Sequence, residues 1–212
     1  MTMISVLIAD DHTIVRQGLK HILSNDSQLK VVGEATNGEE VLKMLETLKV
    51  DGVVLDITMP GKNGLDVLKE LKRKYPQLPV LVLSMHPEDQ FAIRVLKAGA
   101  SGYVTKESAP DELIGALRKV CSGGKYVSPQ LAEKLAVFIE NDKGRALHDQ
   151  LSDREYQVLL MLALGKTVSE IADELMLSIK TVSTYRTRVL QKMKMGTNAE
   201  LTRYALQHQL VS

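Results

Sequence analysis

The sequence predicts two domains, an α/β domain on a doubly wound five-stranded parallel sheet and a small all-α domain behind it. Three observations predict this. Over residues 1–122, five short β-branched apolar runs alternate with five stretches of helical spacing. Over residues 151–212 the strand signal is absent and helix-start signals take its place. Carboxylates gather at the ends of two of the apolar runs, where an open α/β sheet holds its ligands.

The strands are expected at 4–9, 30–35, 51–56, 79–84 and 101–105. Each is apolar at nearly every position, the pattern of a strand buried on both faces. Helices are expected between them at 12–24, 38–48, 63–74, 87–97 and 109–121. Residues 123–150 then form a helix and a linker. Ser128 and Pro129 supply an N-cap and a first-turn proline, and the amphipathic helix runs to about Ile139. The polar stretch ENDKGRALHDQ carries Gly144 and no periodicity, as an interdomain linker does. Four short helices follow. Ser152 with Glu155, Thr167 with Glu170 and Thr197 with Glu200 form capping boxes, and Ser178 opens the remaining helix. Gly165 stands where a helix C-terminus needs a left-handed residue.

Net charge is near neutral, but the distribution is uneven. Residues 1–122 balance 15 Lys and Arg against 16 Asp and Glu, whereas residues 180–194 carry five basic side chains and no acid. A polyanion partner is therefore expected for that segment alone. Trp is absent and aromatics make up 4% of the chain, which argues against stacking on single-stranded nucleic acid. Cys121 is the only cysteine, so no intramolecular disulfide forms, as in a reducing compartment. The N-terminus lacks a basic n-region, and no apolar run approaches the roughly 20 residues of a membrane span. A cytoplasmic location is expected.

The chemistry concentrates in SVLIADD and VVLDITMPGKNG. Asp10, Asp11 and Asp56 end two strands, and three acids at one sheet edge make a site for a hard cation. Asp11 and Asp56 are the expected direct Mg²⁺ ligands, with Asp10 acting directly or through water and the main-chain carbonyl of Thr58 completing the set. A cation there lets an incoming phosphoryl group approach a carboxylate. Ser84 and Lys106 end the fourth and fifth strands, where a hydroxyl and an ammonium can meet phosphoryl oxygens.

This order of residues resembles the receiver domain of bacterial two-component response regulators, the flavodoxin-like fold also seen in CheY. The likeness covers residues 4–121 with matching spacing. It implies that Asp56 is the phosphoacceptor for a partner histidine kinase and that Asp10 and Asp11 hold Mg²⁺. It further implies that Ser84 and Lys106 read the phosphoryl group, and that Tyr103 is the switch aromatic. Self-catalysed phosphotransfer and slow self-dephosphorylation are then the only chemistry expected. Thr58 and His86, each two residues after a site residue, flank the path of an attacking water and are expected to set the phosphoryl lifetime. Pro110 lies four residues after Lys106, later than such a proline usually falls in this family.

The segment TVSEIADELMLSIKTVSTYRTRVLQKMK reads as helix, tight turn, helix. Ile179, Val182, Val189 and Met193 form the second helix's apolar face. At about 100° per residue, Lys180, Thr184, Thr187, Arg188 and Gln191 fall opposite, with Ser183 beside them and Arg186 near the packing edge. Such a helix fits a major groove. Lys180, Arg186, Arg188 and Lys192 are expected on phosphates, and Ser183, Thr184 and Thr187 near base edges. With LSDRE at its start, this domain resembles the LuxR-type helix-turn-helix, and the pair of domains resembles the NarL/FixJ subfamily. Tyr185 and Val168 stand where that family commonly has His and Asn. The resemblance implies a transcription factor whose phosphorylation changes dimerisation and binding to double-stranded DNA. The last helix, Asn198 to about Gln209, would help pair two DNA-binding domains.

Two rival readings meet obstacles in the same residues. A haloacid-dehalogenase-like phosphatase needs an acid two residues after its nucleophile, and Thr58 stands there. A phosphorylation-independent DNA-binding regulator has no use for the complete acid set. Neither G-x-x-x-x-G-K-[ST] nor G-x-G-x-x-G occurs, so a nucleotide-binding loop lacks support.

Overall fold

A computed structural model describes residues 3–59, 64–85, 90–140, 146–208 and 210–211. The chain forms two compact units, Met1–Lys134 and Leu135–Ser212. In the first, five strands alternate with five helices: β1 (Ile4–Ala9), α1 (Thr13–Ser24), β2 (Leu29–Ala35), α2 (Gly38–Thr47), β3 (Gly52–Asp56), α3 (Gly64–Lys74), β4 (Val80–Ser84), α4 (Gln90–Lys97), β5 (Gly102–Thr105) and α5 (Ala109–Cys121). The expected bounds hold to within a few residues.

All strands are parallel, in the order β2-β1-β3-β4-β5. The chain reverses its direction of winding between β1 and β3, so a crevice opens at their carboxyl ends. Successive strand residues face opposite sides, and the near-continuous apolar runs follow from helices on both sides. Val6, Ile8, Val54, Leu81, Leu83 and Val104 face one layer, where they meet Leu19 and Leu23 of α1 and Leu113, Leu117 and Val120 of α5. Leu7, Val53, Leu55 and Val82 are equally buried.

The first unit continues past α5. Tyr126 forms a parallel bridge with Gly102, with Tyr103 N donating to Tyr126 O at 3.2 Å and Tyr126 N to Ser101 O at 3.0 Å. Gly102 is needed for this approach, because a Cβ there would lie 2.7 Å from the Tyr126 carbonyl. Helix α6 (Pro129–Glu140) follows, with Leu131 buried, and the boundary between the units falls within it. The expected first-domain end at 122 thus differs from the compact unit's end at Lys134, because backbone bonds tie 126 to β5.

The second unit begins before residue 151. A 3-10 turn, Leu147–Gln150, carries a buried His148 whose Nδ1 lies 3.0 Å from Tyr204 Oη. Polarity had placed this turn in the linker, but its histidine packs against Tyr156, Tyr204 and His208. Four helices follow: α7 (Asp153–Ala163), α8 (Val168–Glu174), α9 (Ile179–Met193) and α10 (Asn198–Gln207). The three capping boxes form as expected, and Ser178 accepts from Thr181 N. Helix α7 is central, with α9 and α10 packed on it. Gly165 ends it with φ +84°. Met176 ends α8 in the same left-handed region, and the bonds Leu177 N to Ala172 O and Met176 N to Asp173 O close the turn into α9.

Candidate functional site

Strand register delivers the acids to one place. Ala9 pairs with Leu55, so Asp10 and Asp56 emerge side by side at the carboxyl ends of β1 and β3. Asp56 pairs with Leu83, and Ser84 with Thr105, which brings Ser84 and Lys106 to the same edge. Asp10, Asp56 and Ser84 are fully buried. Gly64, at the start of α3, rests on the end of β3, since a Cβ there would lie 2.5 Å from Ile57 Cα and 2.7 Å from the Asp56 carbonyl.

The Lys106 ammonium lies 2.7 Å from one oxygen of Asp56 and 2.7 Å from one oxygen of Asp10. Thr58 N donates to the other Asp56 oxygen at 3.0 Å. Burial pushes the Asp56 carboxyl above its ordinary range. Lys106 opposes this, Asp10 reinforces it, and the net direction is upward. Burial works against the Lys106 charge, but Asp56 and Asp10 outweigh it and hold that ammonium protonated. His12, which sequence reasoning had given no role beyond the helix start, joins the group. Its Nδ1 lies 2.9 Å from Asp11, and its main-chain N donates to Asp10 Oδ1 at 2.8 Å.

Ligand atoms of Asp10, Asp11, His12 and Asp56 lie within 4.8 Å of one another. The donor set fits Mg²⁺. Asp10 Oδ2 lies 2.7 Å from the Lys106 ammonium, and Asp11 Oδ1 lies 2.9 Å from the His12 ring nitrogen. Three clustered carboxylates share one lysine ammonium, and a hard cation would neutralise the charge that remains. The Thr58 hydroxyl is buried without a hydrogen-bond partner among the described residues. His86 falls outside the described residues. Tyr103 is fully buried, on the face of β5 opposite Val104. Beside Lys106 opens a cleft of about 760 Å³ that Met85, Ser108, Glu112 and Ser128 help to line.

In the second unit, α9 presents Lys180, Ser183, Thr184, Thr187, Arg188 and Gln191 to solvent. Val182, Val189 and Met193 form its buried face. Ile179 corrects the expected face: it is 57% exposed. It occupies the first helical position, and helical side chains lean toward the N-terminus, so it overhangs the end of the packed stripe. Thr184 and Thr187 direct their hydroxyls to the carbonyls of Lys180 and Ser183. Two of the expected phosphate contacts are engaged within the unit. Arg186 Nε donates to Asn198 Oδ1 at 2.7 Å, and Lys192 Nζ lies 2.6 Å from Glu155 Oε2. Glu155 also closes the cap of α7, accepting from Ser152 N at 2.8 Å. Burial opposes its charge, yet Lys192 and Ser152 outweigh burial and hold its carboxyl below the usual range.

Comparisons with known proteins agree with both halves of this geometry. The response regulator receiver domain model matches residues 6–118, and the model for bacterial regulatory proteins of the luxR family matches residues 149–205. Response regulator UvrY of Escherichia coli K12 is 40% identical over 209 residues, 98% of this chain and 96% of UvrY. Response regulator GacA of Pseudomonas aeruginosa is 41% identical over 210 residues, 99% of this chain and 98% of GacA. Among solved structures, RcsB of Salmonella enterica serovar Typhimurium, bound to promoter rprA with the phosphomimetic BeF3-, is similar with a TM-score of 0.66. Its identity is 31%, over 96% of this chain and 98% of that one.

Proposed function

The chain belongs to the NarL/FixJ response regulators, which join a receiver domain to a LuxR-type DNA-binding domain, and on that premise we propose that Asp56 is the switch by which a histidine kinase controls DNA binding. The protein is a response regulator with a DNA-binding domain, and its receiver implies a sensor kinase as partner. No helix of the described residues is long and apolar enough to cross a membrane. We place it in the cytoplasm, with the receiver in the unit Met1–Lys134 and the DNA-binding domain in the unit Leu135–Ser212.

The observation that carries the proposal is the buried Asp56 carboxylate held by Lys106 at the mouth of the sheet's crevice. A carboxylate oxygen of Asp56 attacks the donor's phosphorus. An acyl-phosphate bond forms, the bond to the donor breaks, and the donor group leaves with its electron pair. Asp10, Asp11, Asp56 and the Thr58 carbonyl would hold Mg²⁺, which supplies charge neutralisation when bound. Thr58 N stays on Asp56 and orients the carboxylate. Lys106 follows the new phosphoryl charge and leaves Asp10. Ser84 donates its hydroxyl to a phosphoryl oxygen, and movement of β4 opens space that Tyr103 uses to change rotamer. The surface between α4 and β5 is thereby reshaped, which changes dimerisation and with it DNA binding by α9.

Thr58 limits how water reaches the acyl phosphate. The half-life of the phosphorylated form should change in Thr58→Ala, and an unaltered half-life removes Thr58 from that role.

On DNA, α9 enters the major groove, with Lys180 and Arg188 on phosphates and Ser183, Thr184 and Thr187 at base edges. Arg186 and Lys192 meet phosphates with the donors that Asn198 and Glu155 leave open, or by exchanging those partners. The test uses a fragment selected from a random DNA pool by the phosphorylated protein. Phosphorylation should tighten its binding, and equal affinity with and without phosphodonor sinks the proposal. Lys180→Ala and Arg188→Ala should each weaken binding and flatten the slope of log affinity against log salt by about 1, as loss of one phosphate contact does.

A further inference from the structure

Three carboxylates at one sheet edge repel one another, and the loop that supplies two of them is short. Lys106 relieves this repulsion only by sitting on carboxylate oxygens, the same atoms a cation needs. A second cation serves the loop in a different way. Arg16, on the first turns of α1, is 9% exposed. Its Nη1 donates to the main-chain carbonyls of Asp10 at 2.8 Å and Asp11 at 3.1 Å. Its Nη2 donates to Thr13 Oγ1 at 3.2 Å. Its Nε lies 3.5 Å from Glu34 Oε2 on β2, and Lys20 holds the other Glu34 oxygen at 2.6 Å.

This arrangement has two consequences. A guanidinium offers five donors in a rigid fork, so one side chain can hold two successive carbonyls and stay charged. Because it grips the main chain, it occupies none of the carboxylate oxygens, whose neighbours are the Lys106 ammonium on Asp10 and the His12 ring on Asp11. Glu34 and Lys20 fix the guanidinium from behind, on a strand neighbouring β1.

We propose that Arg16 is a positioning residue, a main-chain clamp that holds Asp10 and Asp11 in their cation-ready arrangement and thereby sets Mg²⁺ affinity. This rests on the reading of the acid cluster as a Mg²⁺ site. It assigns Arg16 no contact with the ion or with phosphate. Removing such an outer partner of a metal ligand characteristically lowers metal affinity by about 10–100-fold.

The test is a Mg²⁺ titration of the full chain, followed through the backbone amide NMR signals of His12 and Thr58. Arg16→Met removes the charge and the fork at similar length, and Arg16→Lys keeps the charge but loses the fork. Arg16→Met should weaken Mg²⁺ binding by about 10-fold or more, and Arg16→Lys should restore it in part. Glu34→Gln, which leaves the carbonyl bonds in place, should move it less than Arg16→Met. If Arg16→Met does not fold, Arg16→Lys decides the matter by the same titration. A folded Arg16 variant that binds Mg²⁺ as wild type does overturns the proposal, even if its thermal stability has dropped. Absence of Mg²⁺ binding by the wild-type chain instead overturns the metal-site reading on which it rests.

Discussion

Incubated with a small phosphodonor and Mg²⁺, the wild-type chain should gain a phosphoryl group by mass, and Asp56→Asn should gain none. The amide lacks the nucleophilic carboxylate oxygen, and neither Asp10 nor Asp11 stands in the orientation that Thr58 N and Lys106 together give Asp56. The phosphodonor-dependent gain in DNA affinity should vanish with it. Uptake by Asp56→Asn at the wild-type level would place the acceptor elsewhere. The same variant has a second, oppositely directed effect. Burial raises the folded-state pKa of Asp56, with Lys106 opposing and Asp10 reinforcing the shift. The folded state therefore holds its proton more tightly than the unfolded chain. Stability contributed by the protonated group is full below the ordinary carboxylate range and is lost as pH rises through the raised value. At neutral pH the ionised Asp56 is thus a liability to the fold. Without divalent cation, Asp56→Asn should raise the urea midpoint at pH 7, and the difference from wild type should shrink as the pH falls below the ordinary carboxylate range. A lowered midpoint at pH 7 would mean that the Lys106 pairing outweighs desolvation.

Lys106→Met should do the reverse. It leaves Asp10 and Asp56, both fully buried, without the ammonium that lies 2.7 Å from each. Removing one partner of a buried ion pair costs about 3–5 kcal/mol, because uncompensated charge remains in a poorly solvated place. The loss should appear in urea unfolding at pH 7 without divalent cation. It should diminish at lower pH, where a carboxylate can take up a proton, and on adding Mg²⁺, which substitutes for the lost charge. An unchanged midpoint at pH 7 would show that water reaches the acids freely. Asp56 of this variant should still accept phosphate, but the gain in DNA affinity should be smaller, since no ammonium follows the phosphoryl charge from β5.

The strand runs were legible because both sheet faces are covered, which makes their sequences apolar throughout. The helices of the second unit were legible for a different reason: Ser152, Thr167, Ser178 and Thr197 announce their starts chemically, and each cap forms. Asp10, Asp11, Asp56, Ser84 and Lys106 could be found by their places at strand ends. Arg16 could not. It is an ordinary helical arginine until α1 folds back over the loop, and its partners are carbonyls, which every residue has. His148 was hidden for a similar reason: a polar, aperiodic neighbourhood reads as linker, and it is the packing of Tyr156 from α7 and Tyr204 from α10 that covers its ring.

By itself the sequence determined which chemical groups end the strands and line the basic helix, because a carboxylate, an ammonium or a basic helix face is a property of side chains and their local period. The tertiary structure decided which of them are free to act. Lys180 and Arg188 stand open to solvent, whereas Arg186 and Lys192 are held by Asn198 and Glu155. Lys106 is shared between two acids rather than committed to one. The reason is physical. Local pattern fixes the direction in which a side chain leaves the backbone, but the partner it meets arrives from another part of the chain.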